Sequence, residues 1–278
     1  MKKLFMVCGF ALMGFSAVSA QSEQFYGVGN RIGIGVGVGT TGVSIEAATC
    51  LTPYVGVRAG VNIVPNFKLS TDLDVGEYDA TPLKQIGFNE EEIPQSVEVE
   101  GKLSMTTGHV LFDIHPFKTG FRITAGAYFG GSKIVSVYNK EDGSLMSIYN
   151  ANQKIEQVNK QAQANNLKGD YPCIGVALGD YMLTPDDAGN VNATLEVSGF
   201  RPYLGIGFGH AVPKKRIGVQ FDAGVQFWGS PKVYLDGANG RHQLTEEDTN
   251  GEDGGAIKTL SKITVYPCIN LRLVGRIL

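Results

Sequence analysis

Once its first twenty residues are passed, this sequence has no long apolar run. A helix that crosses a bilayer needs about 20 consecutive apolar residues, so a helical membrane protein is excluded. Cysteine is scarce. Beyond Cys8 there are only Cys50, Cys173 and Cys268. An odd number with no CxxC spacing argues against a disulfide framework or a zinc site. Cys50 and Cys268 read as small residues in strand walls. Nor does one sign of charge dominate: 24 Lys and Arg stand against 27 Asp and Glu. That balance argues against a nucleic-acid partner.

Catalytic signatures are thin too. Gly37-Val38-Gly39-Thr40-Thr41-Gly42 has the glycine spacing of a dinucleotide loop, but a strand pattern follows it, and position 62 is Asn where an acid is needed. A glycine-lined wall with a tight hairpin is the simpler reading. A calcium loop counted from Asp248 needs Gly at its sixth position and Glu at its twelfth, and these are Asp253 and Thr259. The segment 248–255 therefore reads as a solvated loop. A nucleophilic site needs a His near a Ser or Cys with an acidic orienter. The last strand pattern holds no His, and its one Ser, Ser261, stands at its start. No catalytic residue, metal ligand or cofactor is assigned.

What the chain does have is alternation. Ile32, Ile34, Val36 and Val38 alternate with glycines, and Val55, Val57, Ala59, Val61 and Ile63 alternate with Gly56, Arg58, Gly60 and Asn62. Period two means strands. The non-apolar positions are small, polar or charged, and no hydrophobic core looks like that. An apolar outside around a polar inside is the pattern of a transmembrane β-barrel.

Residues 1–20 read as a cleaved secretory signal. Lys2 and Lys3 form its charged start, and Val18-Ser19-Ala20 is a small-residue cleavage site. Residues 21–278 then form a single domain. Eight strands are expected, near 28–38, 42–50, 54–67, 96–115, 121–138, 191–209, 216–229 and 261–278. Connections 51–53, 115–120 and 211–215 are short, and every long connection falls on the opposite side. Short turns on one side and long loops on the other fit an even-stranded antiparallel barrel; ten strands are the alternative. Thr81-Pro82 reads as a helix start, 147–165 as a surface helix, 174–183 as a strand pairing with the next one, and 230–257 as a polar loop. Strands longer than the ~10 residues that span a membrane should rise above it as a β-rich collar.

The inward face carries charges at Glu46, Arg58, Arg122, Arg201, Asp222 and Arg272. If Thr52 is the middle of its turn, Glu46 lies directly opposite Arg58, close enough for an ion pair.

The segments PYVGVRAGVN, FRPYLGIGFG and NLRLVGRIL, with the signal and the connection pattern, resemble the OmpA/OmpX-type outer-membrane β-barrel family, and the Ala20-Gln21 junction resembles its Bacteroidota members. Such barrels usually end in Phe or Trp, and this chain departs from that with Arg276-Ile277-Leu278. The resemblance implies an eight-stranded barrel in the outer membrane of a Gram-negative bacterium. Its partners would be outer-membrane lipid, the barrel-assembly machinery and a ligand or surface partner for its extracellular loops. The expected role is structural or adhesive, without enzymatic activity. A narrow porin-like channel is the alternative, because inward glycines loosen the packing, and a lipid-modifying enzyme is the second.

Overall fold

The structure is a computed structural model. It describes residues 31–277 except 77, 79–83, 85–86, 88–89, 118, 168–170, 179–180, 238–239, 246–258 and 260. The expected signal, positions 28–30 of the first strand, the Thr81-Pro82 helix start and the 248–255 loop lie outside the described residues. In chain order the strands are β1 (Ile32–Gly39), β2 (Gly42–Cys50), β3 (Val55–Asp74), β4 (Ser96–Ile114), β5 (Phe121–Gly130), β6 (Lys133–Asn139), β7 (Val176–Leu178), β8 (Tyr181–Leu183), β9 (Asn192–Glu196), β10 (Phe200–Phe208), β11 (Ile217–Phe227), β12 (Lys232–Gly237), β13 (Gly240–Leu244) and β14 (Val265–Arg276). Helix α1 (Met146–Ala164) lies between β6 and β7.

Eight of these strands close on themselves in the order β1, β2, β3, β4, β5, β10, β11, β14 and back to β1, every pair antiparallel. Closure removes the unpaired edges that an open sheet would leave. Three of the turns at one end are brief. The first, Leu51 to Tyr54, is held by Thr52, whose Oγ1 accepts from the Val55 amide at 2.9 Å. Thr52 is therefore not its midpoint, and the register shifts: Ala48, not Glu46, faces Arg58, while Glu46 faces Gly60. Glu46 and Arg58 share a face but stand diagonally.

The opposite end carries the collar. Two of the expected long strands are each divided. The 121–138 segment breaks at Gly131-Ser132, and the 191–209 segment breaks at Val197 to Gly199. The two breaks lie against one another, with the Gly130 amide on the Gly199 carbonyl at 2.9 Å and the Val197 amide on the Ser132 carbonyl at 2.9 Å. Below them β5 and β10 pair in the wall. Above them β6 and β9 peel away and pair with each other. The collar sheet runs from the upper parts of β3 and β4 through β6, β9 and β12 to β13. The 230–257 segment is thus no bare loop, since β12 and β13 form a hairpin within it. The 174–183 segment also differs from expectation. It folds into a hairpin of its own, β7 with β8, and does not pair with β9.

Strand β4 shows how the environment changes along its length. In the wall its odd positions point inward and are buried, mostly as polar groups (Thr107, His109, Asp113) with Leu111 among them, while Val110, Phe112 and Ile114 face out. In the collar the same parity turns apolar, with Val97 and Val99 buried, and Glu98 and Glu100 take the outer side. Ile148, Ala151 and Ile155, one face of α1 at helical spacing, close over that apolar side. The collar is a water-type hydrophobic core stacked on an inside-out barrel. Ile148 is fully buried, so Ile148→Ala should cost about 2–5 kcal/mol locally. Limited proteolysis should then cleave α1 while the barrel keeps its heat resistance in gel-shift assays. Simultaneous loss of both would show that the two cores are one cooperative unit.

Candidate functional site

The barrel interior is where the chain concentrates its unusual chemistry. Several inward glycines are closely packed by neighbouring strands. A methyl group at Gly37 would lie 2.5 Å from Arg272 Cγ, one at Gly60 2.6 Å from Glu46 Cβ, and one at Gly207 2.7 Å from Asp222 Oδ1. Each glycine vacates the volume that a long polar side chain from a neighbouring strand occupies.

Those side chains form one ion cluster. Arg58, fully buried, places Nε 2.7 Å from Asp113 Oδ2, Nη1 3.3 Å from Glu46 Oε2 and Nη2 3.4 Å from Asp222 Oδ1. Arg272 Nε lies 3.2 Å from Glu46 Oε2, and its Nη1 reaches Asp222. Arg122 donates to Asp222 Oδ2 at 2.7 Å, and Thr124 donates to Asp113 at 2.7 Å. Asn62 Nδ2 lies 3.1 Å from His109 Nδ1. An amide nitrogen donates, so His109 keeps its proton on Nε2 and offers it to Glu46 at 3.3 Å. Three guanidinium groups thereby meet three carboxylates, all buried.

Five of the six expected inward charges (Glu46, Arg58, Arg122, Asp222 and Arg272) are brought together here. The sixth, Arg201, is buried but stands apart at the rim. It donates to the Ser198 carbonyl at 2.7 Å and the Gly131 carbonyl at 2.6 Å. It thus clamps the two strand breaks where the collar leaves the wall. Asp113 was not anticipated. The signal for it was electrostatic: four inward arginines against two acids leaves charge that a closed barrel must neutralise. Asp113 shares the parity of His109 on β4 and supplies one missing carboxylate.

Below the cluster the turn after β10 folds up into the barrel mouth. Ala211 and Val212 are buried against Ala48. Arg122 donates to the Gly209 carbonyl at 2.6 Å and Gln220 to the His210 carbonyl at 2.7 Å, tying this plug to the ion cluster. The His115 and His210 rings stack beside it, 5.2 Å apart. On the collar's outer face Lys68 bonds Glu100 at 2.6 Å. The Lys68 ammonium and the Tyr138 hydroxyl hold the Glu100 carboxyl below the usual carboxylate range. Among the described residues no group of three or more His, Cys, Asp or Glu is placed to hold a metal ion.

The fold and its interior define the class: a closed eight-stranded antiparallel β-barrel with a charged core and an apolar exterior. No family model and no curated protein matches the chain. Among solved structures it is similar to CarO2 of Acinetobacter baumannii, at 17% identity and a TM-score of 0.42, covering 88% of this chain and 98% of that one. CarO of the same organism is similar at 16% identity and a TM-score of 0.42, over 91% and 99%. A major outer membrane protein from Thermus thermophilus is similar at 12% identity and a TM-score of 0.34, over 88% and 98%.

Removing one partner from a buried pair strands a charge, at a cost of about 3–5 kcal/mol. Arg58→Ala and Asp113→Ala should each lower the urea midpoint of refolded barrel, and the double variant should recover part of the loss. Coupling of Arg58 to Asp113 should exceed its coupling to Glu46, which Arg272 and His109 also hold. Strict additivity in both cycles would contradict the cluster.

Proposed function

We propose that the chain is an integral protein of the Gram-negative outer membrane, a small OmpA/OmpX-type barrel that does not conduct and displays its collar at the cell surface. The observation that carries this is the exterior of the wall. Val36, Ile45, Val61, Phe112, Ile206, Phe221 and Leu271 are all large apolar side chains left 42–55% exposed. Water would not tolerate so continuous a band, whereas lipid requires one. Aromatic groups mark its two ends, Phe129 with Phe200 at the collar and Phe121 with Phe208 at the short turns. Eight residue steps along β10 lead from Phe200 to Phe208. At ~3.4 Å per residue and a tilt of ~40° they span about 21 Å in height, close to the ~25 Å of an outer-membrane apolar band. The filled interior and the tucked turn support the sealed reading.

The role that follows is structural and interactive, without enzymatic activity. Lipid and the insertion machinery are its partners in the membrane, and a surface ligand meets the collar. A narrow channel draws support from one feature. Tyr128 Oη, Asn62 Oδ1 and Asn270 Nδ2, all buried above the ion cluster, have no hydrogen-bond partner among the described residues, and buried polar groups of that kind bind water.

Purified barrel in a planar bilayer should give no stable unitary steps; reproducible steps would favour the channel. A tag inserted at Asn152 should be reachable by antibody on intact cells and one at Lys214 should not, and equal labelling would overturn the orientation. Leu271→Arg should cost about 2–4 kcal/mol at mid-membrane depth and lower the yield of folded barrel. Gly56→Ser, whose added Cβ meets only ordinary contacts at 3.5 Å and beyond, should not. Equal yields from the two would invert the in/out assignment.

A further inference from the structure

Above the barrel rim the β3 edge has no paired strand among the described residues. β2 pairs with β3 only as far as Val43 and Ile63. Among the described residues β3 continues to Asp74 bonded to β4 alone, and the next contact on its free side is an isolated bridge between Val75 and Val176. Every residue from 65 to 72 is exposed, and Phe67 and Leu69 keep 61% and 75% of their surface accessible. Phe67 faces Leu103 and Leu73 faces Val97, so these side chains share the apolar side of the collar. The core under α1 reaches Leu73 and stops short of Phe67 and Leu69. A row of unpaired N–H and C=O groups beside exposed apolar side chains is a template for another strand, and sheets normally blunt such an edge with Pro, charge or a bulge. The bulge of β3, with Pro65 in it, lies below this stretch, between Val64 and Phe67.

We propose that the β3 edge, residues 67–74, binds an extended peptide of a partner protein by strand addition. The inference deepens the surface-interaction reading and rests on it for the side of the membrane from which the partner comes. Backbone hydrogen bonds supply affinity and alternate side chains supply specificity in this mode. The edge states the partner's chemistry. Apolar residues belong opposite Phe67, Leu69 and Leu73. On the outer face Lys68 stands in register with Lys102 and bonds Glu100, a corner with net positive charge that suits an acidic residue. Asp72 and Asp74, on the same outer face, suit basic ones. Two copies anchored in one membrane both run β3 away from it, which denies them antiparallel pairing with each other. An independent polypeptide is free to approach in that sense.

The test uses the full-length barrel in detergent micelles and the fluorescent peptide Lys-Val-Lys-Val-Thr-Val-Glu-Val, which reads antiparallel against residues 74 to 67. Anisotropy should rise saturably, and amide exchange should slow within residues 67–74 and not in the wall. The same peptide with Pro for its Thr, or the Phe67→Ser/Leu69→Ser double variant with the original peptide, should bind about tenfold more weakly or worse. Lys68→Glu should prefer the peptide with Lys in place of Glu. Equal binding of the Pro peptide, an unchanged preference after Lys68→Glu, or no saturable binding up to about 1 mM overturns the proposal. So does concentration-dependent dimerisation lost in Leu69→Lys, which would give the edge to a second copy. Display is read separately, by antibody labelling of a tag at Asn152 on intact cells. Labelling without peptide binding rejects this inference and leaves the surface-display reading standing.

Discussion

Arg58 and its three carboxylates are the interaction on which the barrel depends. An eight-stranded barrel is just wide enough for side chains to fill it, so whatever charge points inward is cut off from bulk water. Arg58 draws its partners from β2, β4 and β11, strands far apart in sequence but gathered by closure. Burying ions in this way is weak evidence for stability, because desolvation offsets much of the Coulomb gain. Its consequence is selectivity. A one-residue slip of any contributing strand would turn its charge outward into the apolar band and leave its partners alone. The ion cluster, the glycines that make room for it and the plug tied to Arg122 act together to permit one register.

The same strands then serve two solvents. β4 and, above its bulge, β3 leave the wall and exchange their patterns. Polar-inward becomes apolar-inward at Val99 and Val97, and apolar-outward becomes charged at Glu100 and Glu98. The change falls above the level of Phe129, which pairs with Gly108 on β4, where the strands pass from the closed wall into the collar. Arg201 fastens this junction through the backbone of Gly131 and Ser198. A fully buried guanidinium without a carboxylate partner among the described residues is thus held by carbonyl oxygens where two strands divide.

Much of this was legible because period two and connection length are properties of the local sequence. The eight wall strands, their inward charges and the α1 helix, expected at 147–165 and found at 146–164, needed no tertiary information. What stayed hidden depended on contacts between distant segments. The alternation of 121–129 is interrupted only by Gly130-Gly131-Ser132-Lys133 before apolar residues resume, and that short break does not announce that β6 abandons the wall. Asp113 sits beside the apolar residues Leu111 and Phe112, and its role follows only from the charge balance of the closed barrel. The diagonal placement of Glu46 and Arg58 came from the Thr52 hydroxyl bonding forward to Val55, which lengthened the turn. The ion pair formed even so, because arginine is long enough to reach across the offset.

In the proposed non-conducting barrel a neutral ion cluster seals the interior. Its most direct test is thiol accessibility at Ser44, whose side chain is 2% exposed in the cluster's layer beside Gly37. Ser44→Cys would be built in a chain whose native cysteines have been replaced, inserted in vesicles and treated with a small charged thiol reagent from either side. In a sealed barrel this cysteine reacts far more slowly in the folded state than in urea. Reaction at the unfolded rate from either side would mean that water and ions reach the cluster, and the sealed barrel would have to be abandoned.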